Sequence, residues 1–189
     1  MPKKKDPKRV VTGKRTRFSY LHVFEPYSMD GGPEKYGVCL IIPKDDEETI
    51  EAINAAIQAA YVEGEAKLRG NGKVTPPLDT LKTPLRDGDL EHPDDEVYAN
   101  AYFLNANSSG KPNIVDRNIQ PVEDRAKIYS GCYGRASITM FAYSKGGAKG
   151  IAAGLNQLQV LREGESLGGM CRAEDDFEVE EDEDDDFLA

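Results

Sequence analysis

Between Cys132 and Lys145 the chain alternates without a break. Cys132, Gly134, Ala136, Ile138, Met140 and Ala142 are small or apolar, and Tyr133, Arg135, Ser137, Thr139, Phe141, Tyr143 and Lys145 are larger or polar. So long a run with a period of two fits only a β-strand packed on one face. The small side chains of the packed face suit the inside of a narrow barrel. Gly146-Gly147 and a further β-rich run, Gly150–Leu161, make the strand one arm of a hairpin.

The rest of the chain fits around that hairpin. β-branched and aromatic residues predict a long first strand over Val10–Phe24, a turn over Pro26–Pro33, and a central strand over Tyr36–Ile42 that Pro43 stops. One principal helix follows. Asp45 or Asp46 caps it, Ile50, Ile53, Ile57, Ala60 and Tyr61 form its apolar stripe, and Gly70 ends it, with a break possible at Gly64. Residues 70–96, rich in Pro, Gly and Asp, read as a long surface loop, and a loop of that length usually has a function. Strands resume over Val97–Asn107 and Asn113–Val115. In the first of these Val97, Ala99, Ala101 and Phe103 are expected to face in, and Tyr98, Asn100 and Tyr102 out. The expectation is a mainly β protein with one helix: a five-stranded barrel like the oligonucleotide-binding (OB) fold, with a long loop. It divides as a basic flexible arm (1–9), the barrel domain (10–172) and a disordered acidic tail (173–189).

Charge is distributed to match. The net charge of −10 hides an acidic C-terminus in which Glu174–Ala189 holds 11 carboxylates and no cation. The remainder carries 24 Lys+Arg against 23 Asp+Glu, and the first 17 residues oppose eight cations to Asp6 alone. The longest apolar run, Val38–Ile42, is too short to span a bilayer, and no apolar stretch follows the N-terminal lysines as in a secretion signal. Cys39, Cys132 and Cys171 are odd in number and far apart, which suggests reduced thiols and a cytoplasmic location.

The outward row of Cys132–Lys145 interleaves rings with cations. Single-stranded nucleic acid needs that mixture, since rings stack on bases while cations follow phosphates. The expected contacts are Tyr133, Arg135, Phe141, Tyr143 and Lys145, joined by Tyr98, Tyr102 and, on the first strand, Arg15 and Arg17. In the tail, Asp175-Asp176-Phe177 and Asp184-Asp185-Asp186-Phe187 each end an acidic run in a ring. A partner protein could seat that ring in an apolar pocket, and without DNA the polyanion could occupy the basic groove. Two other classes stay open. One is an adaptor or DNA mimic, because the body without arm and tail is itself acidic. The other is a metal-dependent nuclease using Asp87, Asp89, Asp94, Asp95 and Glu96. Carboxylates in such a loop are usually solvated, His22 and His92 are the only histidines, and no phosphate loop or nucleophile motif occurs. No catalytic residue, cofactor or metal ligand is therefore expected.

Several stretches also carry a family likeness: Val11-Thr12-Gly13 through Phe18-Ser19-Tyr20, Tyr36 to Pro43, Leu81-Lys82-Thr83-Pro84-Leu85-Arg86-Asp87-Gly88-Asp89, Tyr102–Asn107, Pro112–Arg117, Tyr129–Arg135, Gly150–Asn156 and Ala173–Phe177. In these the chain resembles a family of bacteriophage and prophage single-stranded-DNA-binding proteins of OB fold. The resemblance implies sequence-independent binding of single strands in phage replication, recombination or repair, without catalysis. It also implies replication or recombination partners reached through the tail, and a homo-oligomer is possible. Leu188 and Ala189 follow Phe187, so a partner pocket that reads a terminal phenylalanine carboxylate would lose that contact.

Overall fold

The computed structural model describes residues 5–28 and 31–167. The tail residues named above and Cys171 lie outside them. In chain order the elements are β1 (Arg9–Val11), β2 (Thr16–Tyr27), β3 (Lys35–Pro43), α1 (Glu47–Glu63), α2 (Glu65–Arg69), β4 (Arg86–Asp87), α3 (Gly88–Glu91), β5 (Ala101–Ser108), β6 (Asn113–Val115), β7 (Tyr133–Lys145) and β8 (Ala148–Arg162).

Five strands close a ring. β2 pairs with β3, β3 with β5, β5 runs parallel to β8, β8 pairs along the whole of β7, and β7 returns to β2. The β7–β8 turn is Gly146-Gly147, with φ of +58° and +85°, the left-handed pair that matches the twist of a two-residue hairpin. Every residue assigned to the packed side of β7 is buried, so the alternation is obeyed throughout. Phe18, Leu40, Ile42, Leu104, Ile138 and Leu158 fill the ring. α1 lays Ile53, Ala56, Ile57 and Ala60 on the same core, capped at its start by Asp46, whose carboxylate accepts from the Thr49 amide and hydroxyl.

Three expectations are corrected. The first strand is not continuous: β1 and β2 both lie along β7, but residues 12–15 leave the ladder, and β2 runs on to Tyr27. The segment 70–96 is not structureless, since it contains a 3-10 turn (Leu78–Thr80), β4 and α3, and a second 3-10 turn (Glu96–Tyr98) starts at its last residue. The strand after it starts at Ala101 rather than Val97, and its facing is reversed. Leu104 and Ala106 enter the ring, while Ala101 and Phe103 join Cys39, Ile41 and Tyr98 in a second apolar cluster outside it. The reason is that the 88–98 segment folds over the outer surface of β3 and β5, so both faces of those strands are covered. The helix divides at Gly64. Lys8, assigned to the arm, is held on the barrel: its ammonium pairs with Glu63 at 2.9 Å and its carbonyl accepts from Met140.

Phe18 is fully buried where β2, β3 and β7 meet. Phe18→Ala is expected to lower the unfolding free energy by about 3–5 kcal/mol. A urea titration followed by circular dichroism measures it, and a change under about 1 kcal/mol would mean that the ring does not depend on this side chain.

Candidate nucleic-acid interface

A bulge creates the most exposed ring in the barrel. Ser19 pairs with Cys39 and His22 with Gly37, so Tyr20 and Leu21 together oppose Val38 alone. The extra residue switches the parity of β2. Leu21 and Val23 turn to the core, and Tyr20, at φ +47°, stays outside with 66% of its surface exposed. A non-glycine residue in that conformation is strained and persists only where its surroundings hold it. A second irregularity further along β2 brings Tyr27 back onto His22. The two rings stack with centroids 4.4 Å apart and planes 12° from parallel.

These rings wall a groove of about 580 Å³ over β2, β3 and β5. Gly37, Cys39, Asn105 and Asn107 form its floor, and Arg86, His92, Tyr98 and Phe103 its opposite wall. Lys145 reaches into it from the β7–β8 turn. Burial pushes the Cys39 thiol up to about 11, so it stays neutral beneath the floor. The far wall is held by a clasp: the Lys44 ammonium lies 2.9 Å from Asp87 and 2.7 Å from Asp89. Asp89 also accepts from the Asn100 amide and Asp95 caps the 3-10 turn, so three of the five carboxylates considered for magnesium are engaged in folding the segment. Hydrogen bonding to Lys44 holds both Asp87 and Asp89 below their ordinary range and raises Lys44.

Along β2 the groove gives way to cations. Arg17 sends Nη2 to the Glu165 carbonyl at 2.7 Å and Nε to the Gly131 carbonyl. Residues 163–167, leaving β8, thus lie as a strap across this end of the barrel. Leu167 packs on the outer apolar cluster, and its amide donates to the Ser130 carbonyl. Gly131, at φ +117°, allows the strap to pass, because a Cβ there would strike the Glu165 carbonyl. Beyond Arg17, a cleft lined by Lys14, Arg15, Arg117, Arg135 and Arg162 opens over β7 and β8.

The residues expected from sequence fall into three groups. Phe141, Tyr143 and Lys145 stand at one end of β7, with Phe141 46% exposed and Tyr143 half-buried against Gly150. Arg15, Arg17, Tyr133 and Arg135 stand at the other end, where Arg17 and Arg162 lie 5.3 and 4.9 Å from the centre of the Tyr133 ring. The row between is closed, because Arg9 and Asn156 hydrogen-bond to Ser137 and Asn156 also to Thr139. Tyr98 and Tyr102 do not face out as expected. Tyr98 is buried with His92 stacked on it at 4.3 Å, and half-buried Tyr102 lies outside the groove beneath the Lys44 ammonium. Sequence reasoning missed Tyr20, His22 and Tyr27, because the bulge that exposes them is defined by the partner strand. Arg86 was missed because it meets the groove only in three dimensions, and Arg162 because it reaches the Tyr133 ring from the end of β8.

Comparison with known proteins gives the family and the fold. The family model of the Enterobacter phage Enc34 ssDNA-binding protein matches residues 8–188. Protein p50 of Acyrthosiphon pisum secondary endosymbiont phage 1 is 33% identical over 178 residues, covering 88% of this chain and 93% of that protein. Among solved structures, the single-stranded DNA-binding protein of bacteriophage Enc34 in complex with ssDNA superposes with a TM-score of 0.68 at 26% identity, over 89% of this chain and 98% of that one. The fold is shared with gp2.5 of bacteriophage T7, a single-stranded DNA-binding protein, at a TM-score of 0.60 and 15% identity over 87% and 97% of the two chains.

The clasp makes the groove wall acid-sensitive. Asp87 and Asp89 are more acidic folded than unfolded, so their contribution is present above the ordinary aspartate value of about 3.9 and is lost as pH falls through their lower folded values. Amide exchange across 88–98, corrected for intrinsic rates, is expected to accelerate on acidification below about pH 4 while the ring amides stay protected. In Lys44→Met the same amides are expected to exchange fast already at neutral pH. Uniform protection in that variant would show that the clasp does not hold the wall.

Proposed function

The chain belongs to the family of the Enterobacter phage Enc34 ssDNA-binding protein, and on that premise we propose that it binds single-stranded DNA along the groove over β2, β3 and β5. It is a binding protein and not an enzyme. The observation that carries the proposal is the row of exposed rings beside the groove, Tyr20 and the His22–Tyr27 pair. Every base has a flat face to stack, so such a platform accepts DNA without reading its sequence.

In this reading bases stack on Tyr20, His22 and Tyr27, with Phe141 and Tyr143 beyond the groove and Lys145 meeting the phosphates that cross it. Arg15, Arg17 and Arg135, with Tyr133 beneath the guanidiniums, receive the backbone at the other end. The barrel of residues 10–172 is the DNA-binding unit, with the 1–9 arm adding cations. The tail, 173–189, acts twice. Its carboxylates compete with phosphate for the cationic end, and Asp175, Asp176 and Phe177 with Asp184, Asp185, Asp186 and Phe187 recruit replication or recombination proteins. The strap supports the first role, since it carries the chain past Arg17 shortly before the tail begins. Such work belongs to phage replication, recombination or repair in the host cytoplasm.

Fluorescence anisotropy with labelled oligo(dT) tests the reading. Tyr20→Ala is expected to weaken binding by ~1–3 kcal/mol, the worth of one stacked base. Truncation after Ala173 is expected to tighten binding, most at low salt where the polyanion competes best. Equal affinity for oligo(dT) and a duplex of the same length, or no binding at low salt, would sink the proposal.

A further inference from the structure

The two ends of the interface differ in chemistry. The groove offers flat rings. The cleft beyond Arg17 offers Lys14 and Arg15 from the β1–β2 connection, Arg117 from the loop after β6, Arg135 from β7 and Arg162 from the end of β8. Among the described residues no carboxylate lines this cleft, and its polar complement is Asn118 and Gln159; Asp45, in the adjoining cleft, pairs with Arg15 at 3.0 Å. Asp116, next to Arg117 in sequence, is turned into its own loop, where it accepts from the Asn118 and Gln120 amides. The neighbouring ring, Tyr133, already has two guanidiniums against it.

Convergence of cations from separate segments is costly unless an anion neutralises them, because like charges repel. Two of the five are fixed by backbone acceptors. Arg117 donates to the Leu161 carbonyl at 2.9 Å and Arg135 to the Thr12 carbonyl at 2.9 Å, which leaves other guanidinium N–H groups free. A surface of this kind takes phosphates, and the aromatic face beside it, Tyr133, is already covered by guanidiniums. A strand passing from the groove into the cleft would therefore have its backbone neutralised while its bases stood in water. The state that keeps those bases stacked without help from the protein is pairing with a second strand.

We propose that the cleft of Lys14, Arg15, Arg117, Arg135 and Arg162 binds the phosphate backbone of duplex DNA adjoining the single strand held in the groove, so that the protein recognises the junction between the two. The inference rests on the single-strand reading above. It adds a second ligand class, at a surface linked to the groove by two intervening clefts, one that shares His92 with the groove and includes Arg17, and one lined by Arg15, Arg17 and Tyr133. Backbone contacts there are blind to sequence, and the rings keep one arm of the DNA unpaired.

The full-length chain and the K14Q/R117Q variant are compared on oligo(dT), on the same oligo(dT) extending from a duplex, and on the blunt duplex alone, across a salt series. Lys14 and Arg117 lie outside the single-strand contacts proposed above, and glutamine retains a side-chain donor. Thermal melting verifies the fold. The wild type is expected to bind the tailed duplex roughly tenfold tighter than oligo(dT) at low salt, from the counterions released by a few further phosphates. The variant is expected to lose that increment, with a salt slope shallower by about 2 on the tailed duplex, while oligo(dT) binding stays as in the wild type. No increment in the wild type overturns the inference and leaves the single-strand reading intact. Equal loss on both substrates assigns the cleft to the single-strand path and also overturns it. Tighter binding of both by the variant would show that the cleft holds the acidic tail instead. Failure of the wild type to bind oligo(dT) removes the single-strand reading and the inference with it.

Discussion

Closure of the ring depends on one strand edge. β7 pairs with β8 along its entire length, and its other edge receives β1 and then the first residues of β2. Only Thr16 and Arg17 carry the β2 side of that ladder before β2 turns away to pair with β3. Phe18 stands at this corner, its amide bonded to the Cys132 carbonyl, and Gly134 comes close enough that a side chain there would strike the Phe18 ring. Since β2 leaves β7 so early, its later half is free to bulge. The bulge at Tyr20 and the irregularity before Tyr27 are possible because no second partner strand enforces register there.

The same departure organises the surface. Where β2 follows β7 the outer side is cationic, with Arg15, Arg17 and Arg135 near one another; where β2 runs alone with β3 it is aromatic. The excursion between α2 and β5 adds the far wall of the groove and places acidic residues, Glu91 to Glu96, along its rim beside Arg17. Those carboxylates would repel phosphate, so in the proposed mode a strand is confined between an acidic rim and the cationic corner, with electrostatics setting the path of the backbone and the rings supplying adhesion.

How much of this could be read from sequence depends on whether a segment meets one environment or two. β7 was legible because its two faces differ, one in the ring and one toward solvent. α1 was legible for the same reason, as Ile53, Ile57 and Ala60 make one stripe and Asp46 marks its start. β5 was not. The excursion buries Ala101 and Phe103 from outside while the ring buries Leu104 and Ala106, so apolar residues stand on both faces and alternation gives no sign of which is inner. Tyr98 was misread with it, since a ring that looked free is covered by His92 from the same excursion. The barrel, its helix and half of the cationic corner follow from local pattern, whereas the groove follows from an excursion and a bulge whose geometry no local pattern carries.

The strap makes the acidic tail part of the same logic. Residues 163–167 could have left β8 in any direction, yet they are fixed at four points: the Tyr129 hydroxyl with Gly164, Arg17 with Glu165, Ser130 with Leu167, and Leu167 on the outer apolar cluster. The Arg17 contact lies at the cationic corner, while Leu167 sits on the outer cluster beside the acidic segment 91–96. A polyanion tethered there has a high local concentration at Arg17 whatever its own conformation, because the tether and not its folding sets how close it starts. Competition of that kind needs no defined tail structure and weakens with salt together with DNA binding itself. Such a tail would discourage weak, purely electrostatic binding to any polyanion while leaving a strand that also stacks its bases able to displace it.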